Sequence, residues 1–271
     1  MNRKLILSIS VLLVAFLMTG CDKLKSRDHL NKGVQAYKNA KYQEATDRFK
    51  EAIALDPQNA NAKLYLATAY MMQYIPGADS PENTKMAQAA YEQFKQVLDQ
   101  DAKNPIAMAS IALLYFNQKK MDEAKEWYSK LIGVDPKNKE AYYTLGVIAW
   151  TRAYQDRMEA RAKMGMRPED PGPLKEKKQR TALAEKNLPG IEEGIKYLQS
   201  AVGVDPEYDD AMAYLNLLHR EKADLMDSTE LYKKETEMAD EWVQKTLDTK
   251  KAKAAKAAQA PAGGIVQEEK K

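Results

Sequence analysis

Small and apolar residues return along this chain at helical spacing. Ala45, Phe49 and Ala52 stand at i, i+4 and i+7, and the same intervals carry Ala90, Phe94 and Val97, then Ala124, Tyr128 and Leu131. Polar residues fill the positions between them, so each run predicts an amphipathic helix with one buried stripe. Three runs close on an apolar residue, Asp and Pro: Leu55, Asp56, Pro57; Val134, Asp135, Pro136; Val204, Asp205, Pro206. Punctuation that recurs at long intervals marks a copied helical unit, and the expected architecture is all-α.

The register of the copies is regular. Gly33, Ala45, Phe49, Ala52 and Pro57 make the first unit, and Ala112, Ala124, Tyr128, Leu131 and Pro136 repeat its intervals in the third. These marks resemble the tetratricopeptide repeat, a helix A–turn–helix B unit of thirty-four residues with a small residue in helix A, Ala and an aromatic in helix B, and a closing Pro. Unit two matches in halves, Leu66, Ala67 and Tyr70, then Ala90, Phe94 and Val97, with Ala102 in place of Pro. Unit four has Leu145 and Gly146, then Gly194, Leu198, Ala201 and Pro206; a degenerate fifth runs from Ala211, Leu215 and Asn216 to Ala239, Trp242 and Leu247. The resemblance implies a solenoid of about five helix pairs, with insertions between helices A and B of units two, four and five.

The spacing of the marks measures two of these insertions. The 79 residues from Pro57 to Pro136 are one unit of 34 and one of 45, and the 70 from Pro136 to Pro206 are 34 plus 36. In the first insertion Pro76 and Gly77 stop helix A, and Ser80 before Pro81 reads as an N-cap and first helical residue. In the second, helix A is expected to run to about Lys163, an irregular turn to follow at Gly165 to Pro173, and a polar helix to span Leu174 to Lys186 before Pro189 and Gly190.

The amino terminus follows another logic. Asn2, Arg3 and Lys4 precede an apolar run from Leu5 to Met18 broken only by Ser8 and Ser10, the pattern of an export signal. Fourteen residues reach about 21 Å against a hydrocarbon core of about 30 Å, too short for a comfortable span. Leu17, Met18, Thr19, Gly20 and Cys21 resemble the lipobox of bacterial lipoproteins, which implies lipidation of Cys21. As the sole cysteine, it excludes an internal disulfide framework. The expected organisation is a signal peptide at 1–20, a lipid-anchored linker at 21–27, a solenoid at 28–248 with units near 26–59, 60–104, 105–138, 139–208 and 209–248, and a disordered Lys/Ala-rich tail at 249–271. The expected location is an envelope membrane, facing the periplasm. Asp22 resembles an inner-membrane retention signal in enterobacteria, but the sequence does not choose between inner and outer membrane.

Composition narrows the chemistry. Charged residues make up 30% of the chain and the net charge is only +3, which gives no footprint for nucleic acid. The two histidines, His29 and His219, are far apart, and no glycine-rich phosphate loop or nucleophile motif appears, so no catalytic residue, metal ligand or cofactor is assigned. Two surfaces are candidates for binding. Four residues past the small position of each helix A stand Tyr37, Met71, Phe116, Trp150 and Arg220, and Tyr65, Tyr143 and Tyr214 recur just ahead of it or of its replacement Asn216. The family turns this face toward its ligands, which implies a groove for an amphipathic helix or extended peptide; the other reading is a stripe covered by the insertion. Between 151 and 188 basic residues outnumber acidic ones by ten to six, and Arg152, Arg157, Arg161, Lys163 and Arg167 form either a basic edge for an acidic partner or lipid headgroups, or a solvated helix face. The basic and Asn clamp that some members use for chaperone tails is not evident: helix A of unit one offers Asn31, but Leu64, Ala109 and Tyr143 occupy positions where a Lys or Arg would help. The expectation is a non-enzymatic, lipid-anchored scaffold for a protein or peptide partner, in the assembly of an envelope complex. The alternative is a peptidoglycan- or lipid-handling enzyme or carrier using the aromatic groove. The oligomeric state is not legible.

Overall fold

A computed structural model describes residues 3–167 and 170–259, with side chains described over 21–167 and 170–258. The side chains of the expected signal peptide and the tail from 260 onward lie outside the described residues. Ten helices and no strand are present among the described residues. The chain divides into two compact units, Met1–Asp135 and Pro136–Lys271.

The first unit holds three antiparallel pairs: α1 (Arg3–Lys38) with α2 (Tyr42–Leu55), α3 (Ala60–Gln73) with α4 (Pro81–Gln100), and α5 (Pro105–Asn117) with α6 (Met121–Val134). Helices α1, α3 and α5 also touch one another in sequence, so the three A helices form one layer. The repeat marks are the core. Ala45, Phe49, Ala52, Ala90, Phe94 and Ala124 are fully buried, and the small A-helix positions exist to admit them. A β-carbon on Gly33 would lie 2.5 Å from the Phe49 ring.

Asp and Asn, rather than Pro, build the turns between pairs. The Asp56 and Asp101 amides close the preceding helix on Ala52 and Val97, and their carboxylates accept from the Gln58 and Lys103 amides at 3.2 Å. Three residues on, Asn59 and Asn104 cap the next helix by accepting from Ala62 and Ala107 at 3.0 Å. Ala102 therefore replaces the closing Pro without changing the turn. The insertion at 74–80 is pinned by Asn83, whose amide oxygen accepts from Ile75 N at 2.7 Å while its nitrogen donates to Ile75 O and Ala78 O, both at 2.8 Å. Ser80 caps α4 as its sequence implies.

The expected linker at 21–27 is helical, the middle of α1. Neither Pro nor Gly interrupts it, and Ser26 is buried, donating to Ala52 O at 2.8 Å and accepting from Asn59 Nδ2 at 3.3 Å.

The second unit holds α7 (Lys139–Lys163), α8 (Lys177–Val204), α9 (Asp209–Ala223) and α10 (Thr229–Gln259). Its pairs are α7 with α8 and α9 with α10, and the A helices α7 and α9 also pack together. Helix α7 ends at Lys163, as the sequence predicts. Pro189 does not end the following helix, as expected, but lies inside α8. It is exposed, so water can take the Glu185 carbonyl that the missing N–H leaves free. The chain also stays helical past 249, where the tail was expected, because α10 is tethered by its lysines. Lys253 and Lys256 bond Asp209 and Glu207 near the start of α9.

Candidate functional site: two A-helix faces and a buried charge cluster

The A-helix positions differ between the units. In the first, Tyr37, Met71 and Phe116 are half-buried, while Tyr65 is 38% exposed and stacks on the buried Phe49 ring at 5.6 Å. Burial pushes the Tyr37 hydroxyl up, with Tyr42 and Tyr65 adding to it. Three residues that the sequence reading passed over complete the face: Met72 (49% exposed), Ile106 (56%) and Leu113 (41%). Counted from Ala67 and Ala112 at about 100° per residue, all of these side chains fall within about a third of the helix circumference. Nothing in the apolar pattern marks them, because an outward apolar residue in a helix this apolar breaks no period.

In the second unit the rings pack on one another. Tyr143 meets Tyr208 at 5.3 Å and Tyr214 at 5.4 Å, and Trp150 meets Tyr214 edge-on at 5.4 Å and Tyr154 at 5.0 Å. All but Tyr154 are half-buried against the unit's core. Burial pushes the Tyr143 hydroxyl up strongly and that of Tyr208 to about 12. Arg220 is exposed, held by Asn216 at 2.8 Å and Asp240 at 2.7 Å.

The expected basic edge is not a free cationic surface. Arg161 is buried and grips Asp224 through Nε (2.9 Å) and Nη2 (3.0 Å to Oδ1, 2.8 Å to Oδ2), and its Nη1 donates to the Arg167 and Asp170 carbonyls at 2.9 Å. Arg157 bonds Glu221 at 2.6 and 3.0 Å and Asp224 at 3.1 Å. Lys163 pairs with Glu159 and Arg167 with Asp170, and Arg152 lies half-buried on α7. Burial raises the Glu221 carboxyl although Arg157 opposes it; burial would lower Arg157, but Glu221 and Asp224 outweigh that and hold its guanidinium above the ordinary range. The cluster fastens the second insertion. Leu174 N donates to Asp224 O at 3.0 Å, Gly172 N to the Tyr232 hydroxyl at 3.2 Å, and Leu174 and Met166 are buried. The partners lie more than sixty residues away in sequence, so charge counting along the insertion sees only the arginines.

The histidines are both engaged: His29 pairs with Glu51 at 2.6 Å, and buried His219 with Glu235 at 2.8 Å. No group of three or more potential metal ligands occurs among the described residues. Cys21 is free and exposed. No helix among the described residues is long and apolar enough to cross a membrane.

Helix pairs with small-to-large packing and Asp/Asn turns define an all-α fold of the tetratricopeptide-repeat type. Tetratricopeptide-repeat family models match residues 30–73 and 84–146, so the chain contains these repeats. Among solved structures it is similar to the MamA protein (TM-score 0.57, 15% identity, covering 85% of this chain and 94% of that one). It is also similar to MamA 41-end from Desulfovibrio magneticus RS-1 (TM-score 0.56, 17% identity, 84% and 96%). A third is YrrB, described as a tetratricopeptide-repeat protein with an unusual peptide-binding site (TM-score 0.52, 14% identity, 84% and 90%). At these identities the likeness is one of fold. No curated protein matches the sequence. The fold is typical of protein-interaction scaffolds.

Proposed function

We propose that this protein is a non-enzymatic scaffold, lipid-anchored through Cys21 in a bacterial envelope and facing the periplasm, that binds a protein partner within an envelope complex. The observation that carries the binding reading is the A-helix face of the first unit, where Tyr65, Met72, Ile106 and Leu113 stand exposed on a layer of three packed helices. Such a face suits an amphipathic helix or an extended peptide bearing apolar side chains. The peptide-binding site described for YrrB supports it by analogy of fold. The ring cluster of Tyr143, Trp150 and Tyr214 stiffens the second unit and presents its edges, with Arg220, as a secondary contact. The anchoring reading rests on the lipobox-like residues ending at Cys21.

The test is purification of the membrane-bound chain with its partner, together with the mass of its Cys21 peptide. A partner retained by the parent and lost by Leu113→Glu at unchanged melting temperature supports the binding reading, and equal retention overturns it. An unmodified Cys21 overturns the anchoring reading.

A further inference from the structure

The middle of α1 borders a groove of ≈ 760 Å³ in the first unit, lined by Lys23, Leu24, Arg27 and Leu30 on one side and by the α2–α3 turn on the other. Lys23, Arg27 and Leu30 fall on one helix face at i, i+4 and i+7. The turn contributes the side chains of Gln58, Asn59 and Asn61, with Asp56 as the single carboxylate. Asp56 is occupied by the Gln58 amide at 3.2 Å, and Asn59 by its cap and by Ser26. Nearby, Asp28 pairs with Lys32 at 2.7 Å and Arg48 with Glu51 at 3.0 Å, and Asp22, one residue before Lys23, is the further carboxylate of this stretch. Lys23, Lys25 and Arg27 have no carboxylate partner among the described residues, and all three are exposed. Leu24 stands between them, 70% exposed. This is the chemistry of a headgroup contact, with cations and amide donors for phosphodiesters and one apolar side chain for the acyl boundary. It begins two residues after Cys21.

We propose that this groove seats anionic phospholipid headgroups of the bilayer that holds Cys21, so that the first repeat lies against the membrane in a fixed orientation instead of swinging on its anchor. The inference rests on the anchoring reading above. Ser26, buried against the Ala52 carbonyl, makes the stretch of α1 that carries Lys23 and Arg27 part of the packed unit, and so transmits the contact to the repeat.

The experiment places a fluorescent non-natural amino acid at Gln58 of the full chain, reconstituted in vesicles. Energy transfer to a headgroup-labelled lipid is read in phosphatidylcholine alone and in mixtures with phosphatidylglycerol. Strong transfer that needs phosphatidylglycerol, weakens with salt, and falls in a Lys23→Gln, Arg27→Gln double variant supports the proposal. At about fivefold per cation near an anionic surface, the docked-to-undocked ratio should drop about twenty-five-fold in that variant. Transfer that is equal in neutral and anionic vesicles, or unchanged in the variant, overturns it. The mass of the Cys21 peptide is read on the same sample. A lipidated Cys21 with lipid-independent transfer refutes the groove alone, while an unmodified Cys21 refutes the anchoring reading and leaves the transfer result to decide the groove.

Discussion

Gly146 and Gly133 are both helical glycines, and their surroundings give them opposite roles. A β-carbon on Gly146 would come within 2.4 Å of Leu198, which is fully buried, whereas one on Gly133 meets nothing within 4 Å. Gly133→Ala should therefore stabilise the protein by about 0.5–1 kcal/mol through helix propensity alone. Gly146→Ala gains the same term but overpacks its helix pair by about 1–3 kcal/mol, so it should lower the melting temperature. Equal melting of the two variants contradicts the assigned packing. Arg161→Met tests the charge cluster at the same scale. It leaves the buried Asp224 carboxylate with Arg157 as its remaining cation and takes the donor from the Arg167 and Asp170 carbonyls, and should cost up to about 3–5 kcal/mol in urea unfolding, more than a solvated arginine would. Residues of the first kind were legible in the sequence, since Gly33 and Gly146 stand in register with residues that recur. Arg157 and Arg161 were legible only as charge, because Glu221 and Asp224 reach them through tertiary folding.

At the scale of the element, turns were read more surely than ends. The Asp marks and Ser80–Pro81 fixed where helices start and stop, since these signals act on backbone groups a few residues away. Asn83 left no such signal, although three of its hydrogen bonds hold the 74–80 segment. Asn83→Ala should cost about 1–3 kcal/mol and raise amide exchange at 75–80 without loosening α5 and α6. The sequence predicts a tail from 249, whereas α10 runs to Gln259, and its lysines bond Asp209 and Glu207 near the start of α9. Asp209 is held below its ordinary 3.8, first by the hydrogen bond from Lys253. A depressed carboxyl stabilises the folded form fully above that ordinary value and loses the contribution as pH falls through its folded value. Protection of the 250–258 amides, relative to their intrinsic exchange rates, should therefore fall selectively below about pH 4, and also at high salt at neutral pH. An unchanged protection pattern under both conditions contradicts the tether.

At the scale of the whole molecule, the same repeat register yields two different faces. Counting from the small residues placed Phe116 and Trp150 at one position of helix A and Tyr65 and Tyr143 at a neighbouring one; what the register does not contain is exposure. In the second unit Tyr208 and Tyr154 come from outside the register and join the rings into a packed group, whereas in the first unit Met72, Ile106 and Leu113 face solvent. The scaffold account thus depends on the first unit's A-helix face. Site-specific photo-cross-linking in living cells tests it most directly, with a photoreactive residue placed in turn at Tyr65, Ile106 and Leu113, and at Glu92 and Gln96 on the exposed side of α4. The account predicts one and the same adduct from the three A-helix positions, abolished by Met72→Glu, and none from the two α4 positions. Equal adducts from both sets, or adducts from α4 alone, would contradict it.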